Sequence, residues 1–252
     1  MILNNYPPIG FISTCFKEKF GVPRQSGMVT EAKAVLKLNN NPDYKRALLH
    51  LEDFSHVWIL FVFHKHTQMK WKPTIRPPRV DAPKDIGVFA SRSPHRPNPI
   101  GMSAVKLEKI DWTARGGIEI HLSEVDFLDE TPVLDIKPYL PYTDRILHAH
   151  GGWAEGDIPY YQVEFSDKSL EIVLEFSKEN HPGFDKLLVE IIKWDPRPTS
   201  QKISHPIEDR ENEGLLFAFR CLDFDVKWKI FKKGIYVLDL VKMNSVDLDN
   251  QN

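Results

Sequence analysis

Between Ile75 and Met102 the chain reads IRPPRVDAPKDIGVFASRSPHRPNPIGM, which sets Arg76, Arg79, Arg92 and Arg96 among prolines at positions 77, 78, 83, 94, 97 and 99. Proline fixes φ and donates no backbone hydrogen bond, so this run is expected as a stiffened loop rather than a helix or a central strand. A guanidinium is a planar fork of donors that fits a carboxylate or a phosphate, and on a rigid loop it loses little freedom on binding one. From Lys65 to Arg96, eight Lys or Arg (65, 70, 72, 76, 79, 84, 92 and 96) stand against Asp81 and Asp85 only, with His66 and His95 beside them. The whole chain has a net charge of −2, so the excess is local and marks one anion-binding face.

That loop needs a scaffold, and the surrounding pattern is strand-rich. Ile9 to Ser13 and Ala34 to Leu38 read as short strands, and Asp43 to Leu51 as an amphipathic helix leading into the apolar strand Val57 to Phe63. After the loop, Ser103 to Ile110 and Ile118 to Leu122 read as a hairpin turned by Arg115-Gly116-Gly117, followed by short strands at Val125 to Phe127 and Val133 to Ile136. Many short strands with one helix point to a compact single-sheet β-barrel, taken here as residues 1–145. The glycine-rich and histidine-bearing stretch from Tyr142 to Gln162 reads as a linker, and His148 and His150 lack the further ligands a metal would need, so no metal is assigned.

Residues 146–252 read as a small α+β domain and a candidate tRNA-binding part. Apolar residues at Leu170, Val173 and Leu174, then at Phe184, Leu187, Leu188, Ile191 and Ile192, give two helices broken at His181-Pro182-Gly183, the second ending at Asp195-Pro196-Arg197-Pro198. Leu215 to Leu222, Asp225 to Phe231 and Ile235 to Leu240, with a turn at Lys232-Lys233-Gly234, complete a small antiparallel sheet. The fold class is therefore mainly β with α additions: a barrel followed by an α+β domain.

Composition narrows the function classes. The 252 residues, 42% of them hydrophobic, can bury a main core and a smaller one. The longest apolar run, Val57 to Phe63, is strand-sized, far short of the roughly 18 to 20 residues of a membrane helix. The opening MILNNYPPIGFIS lacks a basic stretch and an apolar signal core, so the cytoplasm is the expected compartment. Cys15 and Cys221 are too few for a disulfide framework or a zinc site and read as apolar fillers. The glycines Gly10, Gly21 and Gly27 lack the spacing of a dinucleotide-type fingerprint, which disfavours a doubly wound nucleotide-binding fold.

Six blocks in order, PRQ at Pro23 to Gln25, FSHVWILFVFH at Phe54 to His64, RPPR at Arg76 to Arg79, GVFASRSPHRPNPIGM at Gly87 to Met102, TPVLDIKPYLP at Thr131 to Pro141 and DPRP at Asp195 to Pro198, resemble the TsaA/TrmO family. The resemblance runs from about Tyr6 to Leu240. It implies a homodimeric β-barrel enzyme that transfers the methyl of S-adenosylmethionine to N6 of the threonylcarbamoylated adenosine 3′ of the tRNA anticodon. By the same resemblance, cofactor contacts fall on Arg24, Gln25, Ser26, His64, Lys65, Arg92, Met102, Pro132, Val133, Leu134 and Asp135. Within that set the chemistry assigns Arg92 to the methionyl carboxylate, Asp135 to a polar edge and the Pro132 to Leu134 backbone to adenine.

Methylation of this ureido nitrogen requires loss of its proton, and Asp195, Arg197 and His95 are the candidate groups, with the choice among them open. RNA contacts are expected at Arg76, Arg79, Arg96 and Arg197. Where relatives continue DPRP with Ala-Tyr, this chain has Thr199-Ser200. The competing class is a non-enzymatic RNA- or nucleotide-binding module that uses the same basic loop.

Overall fold

The computed structural model describes residues 6–243 apart from 20, 78, 80 and 81. Two units form. The first comprises the chain up to Thr14 together with Pro23–Gly156; the second takes Cys15–Val22 and the chain from Asp157 onward. The division falls at 156/157, inside the Tyr142 to Gln162 linker, where the expected boundary was 145/146. None of the helices among the described residues is long and apolar enough to cross a membrane.

In the first unit the elements run β1 (Gly10–Thr14), β2 (Lys33–Leu38), α1 (Tyr44–Ala47), β3 (His56–Val62), the two-residue pair β4 (Thr74–Ile75) and β5 (Ile86–Gly87), β6 (Ile100–Asp111), β7 (Glu119–Ser123), β8 (Pro132–Pro138) and α2 (Pro141–Asp144). Six of the strands close a barrel in the order β1-β2-β7-β6-β3-β8, every neighbouring pair antiparallel. Alternation puts Val57, Ile59 and Phe61 of β3, Val105 and Leu107 of β6, Leu36 of β2 and Ile120 and Leu122 of β7 inside. A barrel this narrow is filled by side chains, and Gly101 shows how tightly. A Cβ there would stand 2.2 Å from the Phe61 ring across the strand pair, so only glycine lets Phe61 occupy the centre, edge-on to Phe127 at 5.0 Å.

The sequence and the structure part at three places in this unit. The helix expected from Asp43 to Leu51 is one turn, Tyr44–Ala47, after which His50 adopts a left-handed φ of 67°. It buries none of its own residues, and a short helix without packing support does not propagate. Val125 and Phe127 are buried as their pattern implies, yet they form no strand: Glu124 turns the chain with φ 61° and Val125 N–H reaches Ala32 O at 3.3 Å. β6 starts at Ile100, inside the proline-rich stretch, immediately after Pro99.

The second unit contains β9 (Val163–Phe165), α3 (Asp167–Glu179), α4 (Phe184–Lys193), α5 (Thr199–Ser204), β10 (Leu216–Cys221), β11 (Phe224–Phe231) and β12 (Gly234–Lys242). The sheet order is β10-β11-β12-β9, and β9 runs parallel to β12. This corrects the wholly antiparallel expectation. Three residues are too few to show a period, so β9 had no pattern to read. Ser166 caps α3 by accepting from Ser169 N–H at 3.1 Å. The helices cover one sheet face, with Phe184 stacked on Phe224 at 5.7 Å and Phe176 edge-on to both at 4.9 Å. Neither Cys15 nor Cys221 forms a disulfide, and burial pushes the Cys221 thiol well above the usual range.

Candidate active site

Strand register decides where the candidate residues meet. Thr14 lies opposite Ala34, Lys33 opposite Ser123, Val62 opposite Ile100, Phe61 opposite Val133 and Phe11 opposite Pro132. The C-terminal ends of β1, β3 and β7 and the N-terminal ends of β2, β6 and β8 therefore share one rim. Two of the three connections on that rim carry candidates: residues 23–32 hold Arg24, Gln25 and Ser26 and residues 63–99 hold His64, Lys65, Arg92 and His95, while Pro132 to Asp135 and Met102 lie at the start of the strands that rise from it. The loops are tied to each other, as where Gly27 N–H donates to Glu124 O at 3.0 Å.

The four arginines of the loop divide into two kinds. Arg96 donates to the carbonyls of Ser91 and Ser93, each at 3.2 Å, and Arg79 donates to Ala154 O at 2.7 Å and Gly156 O at 3.3 Å. Arg96 holds the loop's own backbone in shape, and Arg79 ties the loop to the segment that ends the first unit. Arg76 and Arg92 are exposed instead, and Arg92 donates to Gln25 Oε1 across the rim. Pro78 of the RPPR block and Asp81, one of the loop's two acids, lie outside the described residues.

His64 opens a short 3₁₀ turn at the end of β3, and its Nε2 is buried with no hydrogen-bond partner among the described residues. Burial, and then Lys65 beside it, lower its pKa against the opposing pull of Glu130 and Asp129. The ring is therefore neutral near pH 7 and offers an unused ring nitrogen. His95 packs edge-on to His66 with 4.9 Å between ring centroids. Met102 points away from the barrel interior and is 53% exposed. Asp135 has its carboxylate taken by Lys137 at 2.8 Å, which leaves it a surface ion pair rather than an open polar edge.

One residue escaped the sequence reading altogether. Asp126 lies in the β7–β8 connection on the same rim, where its carboxylate accepts from the Ser103 side chain and from the Ser26 backbone N–H. Its Oδ1 is buried and has no hydrogen-bond partner among the described residues. Burial raises its pKa, a push that these hydrogen bonds and the nearby Arg92 only partly offset. An isolated acid inside an apolar Val-Asp-Phe segment carries no motif, so only its neighbours in space reveal it.

The sign of that shift has a consequence for stability. A carboxyl with a raised folded-state pKa contributes full stability below its unfolded value and loses it as pH rises through the folded value, so at pH 7 the Asp126 charge is a cost. Asp126→Asn is expected to raise unfolding stability at pH 7 by about 1 kcal/mol, with the gain shrinking toward acid pH. Denaturant titrations of both proteins across that range measure it. A destabilised variant at pH 7 would show the carboxylate to be satisfied.

Asp195 and Arg197 belong to the second unit and face each other. They are 3% and 4% exposed. Arg197 Nε and Nη2 donate to the two Asp195 oxygens at 2.8 Å each, Nη1 donates to His205 O at 2.8 Å, and the guanidinium lies over the rings of Phe217 and Trp228 at 4.6 and 5.6 Å. Asp195 has φ 53° just past the end of α4 and is followed by proline, the usual way to stop a helix. In this arrangement neither group is open to a substrate proton or a phosphate. Ser200, in place of the tyrosine expected there, is exposed on α5.

Fold and rim together define a class: a six-stranded antiparallel barrel with a proline-stiffened, donor-rich rim and an appended α+β unit. The model of the tRNA-methyltransferase O N-terminal domain matches residues 11–145, that of the TrmO C-terminal domain matches residues 159–243, and the chain belongs to this TrmO family. It is 37% identical over 235 residues to the tRNA (adenine(37)-N6)-methyltransferase of Escherichia coli, covering 93% of this chain and 97% of that protein. It is 39% identical over 221 residues, 88% of this chain and 90% of the relative, to a Pseudomonas aeruginosa protein provisionally named an S-adenosylmethionine-dependent methyltransferase, RcsF. A crystal structure of TrmO from P. aeruginosa superposes with a TM-score of 0.75 at 35% identity, over 96% of this chain and 98% of that one.

Proposed function

We propose that this chain transfers the methyl of S-adenosylmethionine to N6 of threonylcarbamoyladenosine 37 in tRNA. The observation that carries this reading is the convergence, on one barrel rim, of donors and acceptors suited to the cofactor, in a chain similar over both units to a protein named for that reaction. The fit rests on the orphaned atoms. Asp126 Oδ1 and His64 Nε2 are buried and have no hydrogen-bond partner among the described residues, which is costly unless a bound group supplies the missing hydrogen bonds.

Bound there, S-adenosylmethionine supplies a methyl already activated by its sulfonium. The protein's part is alignment. Arg92, held by Gln25, receives the methionyl carboxylate, and the backbone at Pro132 to Leu134 edges the adenine. With Asp135 engaged by Lys137, the acceptor for a polar edge passes to Asp126. Of the three candidates for the N6 proton, His95 is the one on the loop that carries Arg92, and it takes that role here. Among the arginines assigned to RNA, Arg76 is the exposed one, and it makes the phosphate contact from this loop.

The working form is a cytoplasmic homodimer. Ile100 and Met102 of β6 are 47% and 53% exposed on the outer wall, beside Val62 and Leu60 of β3, an apolar strip that a second copy would cover. Light scattering is expected to give a two-subunit mass, and a fully active monomer would remove this element.

The test is methyl transfer by the purified protein from labelled S-adenosylmethionine to two tRNA pools, one carrying threonylcarbamoyladenosine and one lacking it. Label on N6 in the first pool alone is expected. A plain RNA- or nucleotide-binding module would bind RNA whether or not the cofactor is present and transfer nothing.

A further inference from the structure

The hairpin β11–β12 is closed by two residues, Lys232 and Lys233, since Phe231 pairs directly with Gly234. Both lysines have positive φ, 48° and 60°. A two-residue hairpin of this hand requires left-handed backbone at both central positions, and Asn-Gly is the pair that adopts it without strain. Lysine at both sites is a locally poor choice, and such departures from local preference concentrate where a side chain has work of its own. Both side chains are exposed.

The same end of the hairpin carries two rings and a third lysine. Register puts Lys229 and Tyr236 opposite each other on the face away from α3 and α4, with Phe231 next along the strand. Lys229 Nζ lies 5.4 Å from the Phe231 ring and 5.3 Å from the Tyr236 ring, and Lys232 Nζ lies 4.7 Å over Phe231. The rings hold the ammonium groups without neutralising them. Three other lysines of this unit meet carboxylates: Lys168 with Asp239, Lys193 with Glu190 and Lys202 with Asp195. Among the described residues, Lys229, Lys232 and Lys233 form no ion pair. Three uncompensated cations on a rigid turn, in a chain of net charge −2, are a charge complement to a polyanion.

We infer that the tip of the β11–β12 hairpin is a further RNA-binding site, in which Lys229, Lys232 and Lys233 contact the sugar-phosphate backbone of the tRNA. This rests on the reading of the chain as a tRNA-modifying enzyme. Phosphate contacts set affinity and register without reading sequence, so the tip would serve any tRNA that carries the modified adenosine.

The decisive variant replaces Lys232→Asn and Lys233→Gly together. It removes two charges and installs the pair the turn prefers, so the hairpin is expected to melt at an equal or higher temperature. Affinity for unlabelled bulk tRNA, measured by filter binding at several salt concentrations, is expected to fall about tenfold, and the log–log salt slope to drop by about one to two as two phosphate contacts are lost. Affinity for S-adenosylmethionine is expected to stay as it was. Unchanged tRNA affinity and slope in a folded variant would overturn the inference. Filter binding reads this site even where no methyl transfer is seen. A wild type that binds tRNA through the tip but never methylates it would sink the enzymatic reading and spare the site, whereas a methylating enzyme indifferent to the variant would do the reverse.

Discussion

Arg92→Ala is expected to weaken S-adenosylmethionine binding by ~1.5–3 kcal/mol, more than tenfold in the dissociation constant, with the fold unchanged. The size follows from what is lost: a charge-assisted, planar pair of donors aimed at a carboxylate, not a packing contact. Arg92 is exposed and its guanidinium donates to Gln25, so no core depends on it. Arg92→Lys is expected to fall between the two, because a lysine keeps the charge and loses the fork. Titration calorimetry on the purified variants reads both. An alanine variant that binds as the wild type does would remove Arg92 from the site.

Arg197→Ala is expected to do the opposite kind of damage, destabilising the second unit by ~3–5 kcal/mol while leaving S-adenosylmethionine affinity intact in whatever protein remains folded. Removing the guanidinium strands the buried Asp195 carboxylate, whose remaining cation, Lys202, stands 3.6 Å away and also donates to the Trp194 carbonyl. It also strands the His205 carbonyl and empties the space over Phe217 and Trp228. Asp195→Asn/Arg197→Met, which removes both charges, is expected to recover part of the loss, since two absent charges cost less than one unpaired. Denaturant unfolding of the three proteins separates these cases. An alanine variant as stable as the wild type but weak for tRNA would instead return Arg197 to the RNA surface, where its residue type alone had placed it.

The contrast between these two arginines shows what can be read from residue order and what cannot. Alternating apolar residues fix which face of a strand is buried, and so β1, β2, β3, β7 and β8 fall close to where their patterns put them. Proline content likewise marks the arginine loop as irregular between β5 and β6. Partner choice is another matter. Arg79 and Arg96 look like Arg76 and Arg92 in sequence, and only the folded loop shows that the first two are spent on carbonyls at Ala154, Gly156, Ser91 and Ser93. Asp126 was hidden for the converse reason: its neighbours Val125 and Phe127 announce burial, and burial ordinarily argues against a working carboxylate. It becomes visible only once Ser26 and Ser103, far from it in sequence, are seen to converge on it. Short elements such as α5 and β9 left no periodicity to find.

The central claim is that adenosine 37 of threonylcarbamoylated tRNA is the methyl acceptor, and mass spectrometry of nucleosides from total tRNA of cells lacking the gene tests it most directly. Loss of N6-methyl-N6-threonylcarbamoyladenosine, with threonylcarbamoyladenosine rising in its place and the wild-type gene restoring the balance, is the expected result. An unaltered methylated nucleoside in the deletion strain would contradict the account.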